Sequence, residues 1–301
     1  MTITEFRDRF QRIHAEIARV VIGQDELIAQ TLVAILARGH VLVEGAPGLG
    51  KTLLVRALGQ VLGCVFKRIQ FTPDLMPSDV TGGNAFNQKS SAFDFVPGPV
   101  FTQLLLADEI NRAPAKTQSA LLEAMQEHTV SVDGATRPLP KPFFVIATQN
   151  PIESQGTYPL PEAQLDRFLF KLFVHHPSPE VEKTILRSHL AGFDAVALER
   201  SALARVVGPA DLIAMSEAIT AVQVAEPLLD YITQIVARTR SHRSLIFGAS
   251  PRASIALLQV SRVQAAVAGR DFVVPDDVKE LAPAVLRHRV GLHPDAEIEG
   301  V

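Results

Sequence analysis

Residues 45–52 read Gly45, Ala46, Pro47, Gly48, Leu49, Gly50, Lys51, Thr52, and no other stretch restricts the fold of this chain so tightly. The spacing G-x-x-x-x-G-K-[ST] works between a buried strand and the first turn of a helix. Both flanks fit. Residues 40–44 form a short apolar run ending in Glu44, and a helical pattern begins at Leu53 and continues to residue 62. Glycines let successive backbone N–H groups turn inward around phosphate oxygens, and the helix N-terminus adds a field of the same sign. Lys51 places a point charge on the β- and γ-phosphates, and the Thr52 hydroxyl suits Mg²⁺. Residues 45–53 are therefore expected to hold ATP with Mg²⁺, on an α/β fold.

The rest of the chain can supply that fold. Of its 301 residues 47% are hydrophobic and 20% charged, which is globular composition. Buried-strand runs at 40–44, 64–70, 103–107, 143–147 and 169–174 alternate with helical patterns, which argues for a five-stranded parallel sheet. Thr2 and Glu5 form a capping box before the apolar stripe Phe6, Phe10, Ile13, Ile17 and Val20. Beyond the proline-bearing segment 175–180 only helical patterns follow, at 180–190, 209–221, 227–241, 251–269 and 275–289. The expected division is an α/β nucleotide-binding core at 1–176 and a small all-helical domain at 177–301.

Composition also excludes classes. A net charge of −3 gives no global basic field for nucleic acid. No apolar run approaches the ~18 residues of a membrane span, and residues 1–10 mix acids and bases unlike a signal peptide. Cys64 is the single cysteine, so no internal disulfide forms. A reduced, buried thiol in a cytoplasmic protein is expected.

Two further motifs fit nucleotide hydrolysis. Residues 104–111 read LLLADEIN, an apolar strand ending in two carboxylates. Alone, such a pair is an ordinary solvated turn. After a phosphate loop, Asp108 is placed to hold Mg²⁺ and Glu109 to polarise the attacking water. Residues 143–150 form another apolar strand, ending in Asn150.

The order of phosphate loop, DEIN and ATQN resembles the AAA+ class of ATPases, which implies that Asn150 is a sensor near the γ-phosphate. Residues 98–127 and 147–168 resemble the MoxR family almost phrase for phrase. That resemblance implies that Arg167 is an arginine finger reaching a neighbouring subunit's site, with Arg112 a second trans-acting candidate. It makes Arg252, in residues 248–253 (GASPRA), a sensor on the helical lid, and it sets Ile22 and Gly23, within residues 21–24, against adenine. Residues 82–99, with Phe86, Phe93 and Phe95, and residues 129–141, with the turn pair Asp133-Gly134, resemble the two inserted hairpins of the helix-2-insert clade. The family implies a ring homo-oligomer, a hexamer, driving chaperone-like remodelling or metal-cofactor insertion in client proteins. It also implies a partner carrying a von Willebrand factor A (VWA) domain. A magnesium-chelatase-type motor subunit, a nucleotide-gated adaptor and a DNA translocase are the rival readings.

Overall fold

The computed structural model describes residues 1–89, 91–150, 157–195, 197–198 and 203–298. Thr2 caps α1 (Ile3–Ala18): its hydroxyl accepts from Glu5 N–H at 3.2 Å while the Glu5 carboxylate accepts from Thr2 N–H at 2.9 Å. The stripe Phe6, Phe10, Ile13, Ile17 is buried as its spacing predicts. In α2 (Asp25–Leu36) every residue of the run from Thr31 to Leu36 is buried, because the helix is covered on several sides. Arg38, at φ 57, ends the helical path, and the chain passes directly into β1 (Val41–Glu44).

The phosphate loop leads into α3 (Lys51–Val61), then β2 (Phe66–Gln70), a single helical turn α4 (Pro77–Thr81), and the hairpin β3 (Gly82–Asn87) and β4 (Ala92–Pro97). Next come β5 (Leu104–Asp108), α5 (Ala115–Glu127) and a second hairpin, β6 (Thr129–Val132) and β7 (Ala135–Pro138). Asp133 and Gly134 both take positive φ, 49° and 78°, as a two-residue hairpin turn requires. The core closes with β8 (Phe144–Gln149), α6 (Glu162–Leu165) and β9 (Phe170–Phe173).

Five strands form one parallel sheet in the order β2-β5-β8-β1-β9. Both faces are covered, so β1, β5 and β8 read as continuous apolar runs rather than alternating ones. Val41 and Val43 pack with α1, α2 and α3, while Leu42 packs with α5 on the other face. Phe86 and Phe93 remain exposed on the first hairpin, edge to face at 5.4 Å, whereas Phe95 is half-buried against Phe101.

The second part contains α7 (Pro179–Leu190), α8 (Pro209–Ala218), α9 (Glu226–Ser241), β10 (Leu245–Phe247), α10 (Pro251–Val267), α11 (Pro275–Leu286), β11 (Gly291–Leu292) and the short α12 (Pro294–Ile298). Proline stands within the first two positions of each helix from α7 to α11, where its missing N–H costs nothing. The helical pattern is joined by one antiparallel pair, β10 with β11. Strands of three and two residues carry too little periodicity to be read from sequence. One continuous apolar cluster runs from α1 through α10 to α11, so the helical part is packed onto the core.

Cys64 is half-buried, and that burial pushes its thiol up to about 11. His40 lies deeper, where it ties α5 to the sheet. Val145 N–H donates to its Nδ1 at 3.1 Å, so its Nε2–H donates to the Met125 carbonyl at 3.1 Å. Full burial pushes His40 down from 6.5 to about 4. The unfolded chain binds this proton near pH 6.5, and the fold refuses it until about 4. Stability from this group is therefore complete above 6.5 and is lost as pH falls toward 4, a span worth on the order of 3 kcal/mol. His40→Gln keeps a neutral donor and acceptor, so the slope of unfolding free energy against pH between 6.5 and 5 should flatten by about one proton. Equal slopes in denaturant titrations of the two proteins would remove His40 as the source.

Candidate nucleotide-binding site

Parallel strands end at one edge of a sheet, and the loops that follow them meet there. At that edge a cleft of about 350 Å³ is lined by Pro47, Gly48, Gly50, Lys51, Thr52 and Leu53 from the loop and α3. Arg68 and Gln70 from β2, Asp108 and Glu109 from the end of β5, and Asn150 after β8 complete it. Four separate strands thus contribute to one cleft.

Gly48 and Gly50 stand at φ 82° and 80°, and a Cβ at either would meet no atom within 4 Å. Backbone conformation, not crowding, requires glycine at these two positions. Lys51 Nζ donates to the Gly45 carbonyl at 2.7 Å. Partial burial lowers its pKa, and Asp108, Glu109 and Glu44 pull the other way. A site of this kind gains from an incoming anion.

Both carboxylates have side-chain partners. Asp108 Oδ1 accepts from the Thr148 hydroxyl at 2.5 Å, and Thr148 Oγ1 in turn accepts from Glu109 N–H at 2.9 Å. Asp108 Oδ2 accepts from Arg68 Nε at 3.1 Å and Nη2 at 2.7 Å. Glu109 stands at φ 57°, ψ 50°, a left-handed conformation that aims its side chain off the strand end. Its Oε2 accepts from Gln70 Nε2 at 2.8 Å and pairs with Arg112 Nε at 2.9 Å. Arg112, a trans-acting candidate by sequence, thus pairs with Glu109 of its own chain. Asn150 is buried at the edge of the cleft.

The remaining sequence candidates lie outside this lining. Gly45 sits where its loop leaves β1, its Cβ position 2.8 Å from the Val174 carbonyl, and Ala46 and Leu49 lie on the loop itself. Ile22 and Gly23 precede α2, and Gly23 packs directly on Val181 of α7, leaving no room for a Cβ. Arg167 is half-buried just after α6. Arg252 is exposed in the first turn of α10, its N–H donating to the Ser250 hydroxyl at 3.2 Å. Residues 151–156, part of the family-like phrase, lie outside the described residues.

Between these last two arginines is a junction that sequence reading missed. Asp166 Oδ2 accepts from the Ser250 hydroxyl at 2.8 Å, and Asp166 Oδ1 accepts from Arg289 Nε at 2.7 Å. Arg289 also donates to the Leu169 and Phe168 carbonyls, and its neighbour His288 meets the Phe168 carbonyl through Nε2 at 2.9 Å. The residue before Arg167 is therefore fastened to the cap of the helix that carries Arg252. Arg68, Gln70 and Thr148 were also missed. Strand pairing, which the sequence does not state, sets Gln70 beside Asp108.

The cradle and donor set fit Mg²⁺ with a nucleotide: inward-turning backbone, a lysine, and the oxygen donors Thr52 and Asp108. Strand order, loop and paired carboxylates together define a P-loop ATPase of the AAA+ class. Residues 40–170 match the family described as ATPase family associated with various cellular activities (AAA), and residues 237–301 match the AAA lid domain. Chaperone MoxR1 of Mycobacterium tuberculosis (strain ATCC 25618 / H37Rv) is 47% identical over 295 residues, spanning 95% of this chain and 76% of that protein. YeaC of Bacillus subtilis (strain 168) is 50% identical over 285 residues, spanning 95% and 88%. A crystal structure of a Cytophaga hutchinsonii ATCC 33406 protein, 41% identical, matches with a TM-score of 0.91 over 99% of this chain and 92% of that one. The chain belongs to the MoxR family of AAA+ ATPases.

Asp166→Ala would leave the buried Arg289 guanidinium without its carboxylate, at a cost on the order of 3 kcal/mol. Denaturant unfolding measures it, and a loss under ~1 kcal/mol would make the junction dispensable.

Proposed function

We propose that this chain hydrolyses ATP to ADP and phosphate, and that it does so in a ring of copies, a hexamer, to remodel client proteins. The observation that carries the reading is the meeting of Lys51, Thr52, Asp108, Glu109 and Asn150 around one cleft. Backbone N–H groups of residues 48–52 and the Lys51 ammonium hold the phosphates, with Ile22 and Gly23 toward adenine. Thr52 and Asp108 hold Mg²⁺, which neutralises charge on the phosphate oxygens when bound. Glu109 orients and deprotonates the attacking water, and Asn150 helps fix that water in place. Arg252 brings the lid, residues 177–301, against the phosphates of the core, residues 1–176. Arg167 serves the site of the adjacent copy, where an added cation speeds phosphoryl transfer by ~10³ or more.

Chaperone-like work is supported by the name of the Mycobacterium relative. A client protein, a VWA-domain partner and metal-cofactor insertion rest on family likeness. Among the described residues no helix is long and apolar enough to cross a membrane, and a cytoplasmic setting rests on the single thiol, Cys64. A nucleotide-gated adaptor has no use for a complete Glu109, Asn150 and Arg167 set, which favours the hydrolytic reading.

Three variants test it. Lys51→Ala should lose ATP binding. Glu109→Gln should bind ATP yet turn over at least ~100-fold more slowly; wild-type turnover by that protein would remove Glu109 from the mechanism. Mixing Arg167→Ala with Lys51→Ala subunits should restore part of the lost activity, because a mixed interface joins an intact loop to an intact finger. Specific activity should also climb with protein concentration. Turnover that is independent of concentration, from a monomer in sedimentation, would sink the ring.

A further inference from the structure

Parallel strands begin at one edge of a sheet and end at the other, so the starts of β5 and β8 lie across the sheet from the nucleotide cleft. At that far edge a cavity of about 330 Å³ opens between these strand starts, the end of α2 and α8. Ile35, Leu62, Leu104, Phe144 and Leu212 form its walls, and all five are buried. On α8, Leu212 and Ile213 are followed one turn later by Ser216 and Glu217, so one face of that helix closes a side. Both roots of the second hairpin border the cavity as well: His128 directly precedes β6, and Lys141 follows β7.

Little inside this cavity can recognise a polar group. Both ends of the Gln103 amide are in use, Oε1 accepting from Val65 N–H at 3.1 Å and Nε2 donating to the Lys141 carbonyl at 2.9 Å. The Cys64 thiol donates to the Leu62 carbonyl at 3.7 Å, and burial keeps it protonated. Charge stands at the rim, and it is unbalanced. Arg38 and Lys141 are cations there against the single acid Glu217. Arg38 Nη2 faces the Glu217 carboxylate at 4.0 Å. The exposed Lys141 ammonium has no hydrogen-bond or ion-pair partner among the described residues.

We propose that this cavity binds a small acyl or aryl carboxylate, with the apolar body against Leu104, Phe144 and Leu212 and the carboxylate at Lys141. The volume falls in the range that encloses a small molecule, and it is too small for a partner helix ~10 Å across. Apolar walls without a filling molecule forgo dispersion contacts that a hydrocarbon body supplies. An anionic head fits because Glu217 already faces Arg38, which leaves Lys141 as the unmatched charge. A bound molecule would bridge α8 to the root of the second hairpin. It would therefore act on the hairpin and leave the nucleotide cleft untouched.

Calorimetric titration of the full chain with octanoate, and with octylammonium as the opposite-charge control, tests the site. Octanoate should bind about tenfold more tightly than octylammonium, a modest ratio because the head lies at an exposed rim. Shortening octanoate to hexanoate should weaken binding about tenfold, since two methylenes leave the apolar wall. Lys141→Glu should reverse the preference between the two head groups. Ser216→Trp, or Ile213→Trp should the first fail to fold, fills the cavity and should abolish binding of octanoate. Retained binding of an ATP analogue shows that each variant is folded. Equal binding of the two head groups, or an unchanged preference in Lys141→Glu, would overturn the carboxylate site. Octanoate binding at wild-type strength in the tryptophan variants would place the ligand elsewhere and overturn the cavity, as would the absence of binding to the unsubstituted chain.

Discussion

The parallel ladder β5–β8–β1 is the constraint on which the rest of the structure depends. Leu42 pairs with Ala147, and Ala147 pairs with Ala107, so three interior strands run in a fixed stagger and end at one edge. Because the register is fixed by apolar side chains on both faces, the tips of those strands cannot slide relative to one another without moving a core residue. The tips carry Glu44, Asp108 and Thr148. A side-chain bond between strand tips, such as Thr148 to Asp108, needs this fixed stagger, and two flexible loops would not provide it.

Charge at the edge follows the same logic. Lys51, Arg68, Asp108 and Glu109 line the cleft, Arg112 reaches Glu109 from beside it, and each is met by an oppositely charged side chain or a carbonyl. Lys51 turns to the Gly45 carbonyl, Arg68 to Asp108, and Arg112 to Glu109. Such pairing lowers the cost of gathering like charges in a partly buried place. It also means that a bound polyanion does not enter a vacant field. It has to exchange partners with groups already bonded, which makes the chemistry of the site conditional on the exchange.

The sequence made legible whatever is local. Lys51 and Thr52 follow from an eight-residue spacing, Asp108 and Glu109 from one apolar run, and the Asp133-Gly134 turn from two adjacent residues. Strands β1, β5 and β8 were readable because each is a short apolar run, whereas β2, with Lys67, Arg68 and Gln70, carries a weaker signal. Partners separated along the chain were not readable. Arg68 meets Asp108 across 40 residues, Ser250 meets Asp166 across 84, and Arg289 meets Asp166 across 123. Nothing in the composition around Arg289 distinguishes it from its neighbour Arg287, which is half-buried, donates to the Pro283 carbonyl at 2.9 Å and lies 4.7 Å over the Phe173 ring. Only packing decides which of the two is drawn into the junction.

The same distinction governs the two inserted hairpins. Each is a local unit, yet the bonds between them join them into one plate. Asn84 Nδ2 donates to Asp133 Oδ2 at 2.7 Å, and the Arg137 guanidinium lies 4.0 Å over the Phe95 ring. The first hairpin feeds β5 and the second feeds β8, the two strands whose far ends hold Asp108 and Thr148. The base of the second is closed by Leu139 N–H on the His128 carbonyl, at 2.9 Å. An extended strand is stiff along its axis, and β5 and β8 are locked in register from Leu104 opposite Phe144 onward. A shift at the Asp108 end that moves both strands together therefore reaches both hairpin roots together. Because Asn84–Asp133 and Phe95–Arg137 resist their separation, the hairpins respond as one body and not as two flexible tips. The exposed pair Phe86 and Phe93 rides on that body, which presents an apolar surface whose position is set by the same ladder that builds the cleft.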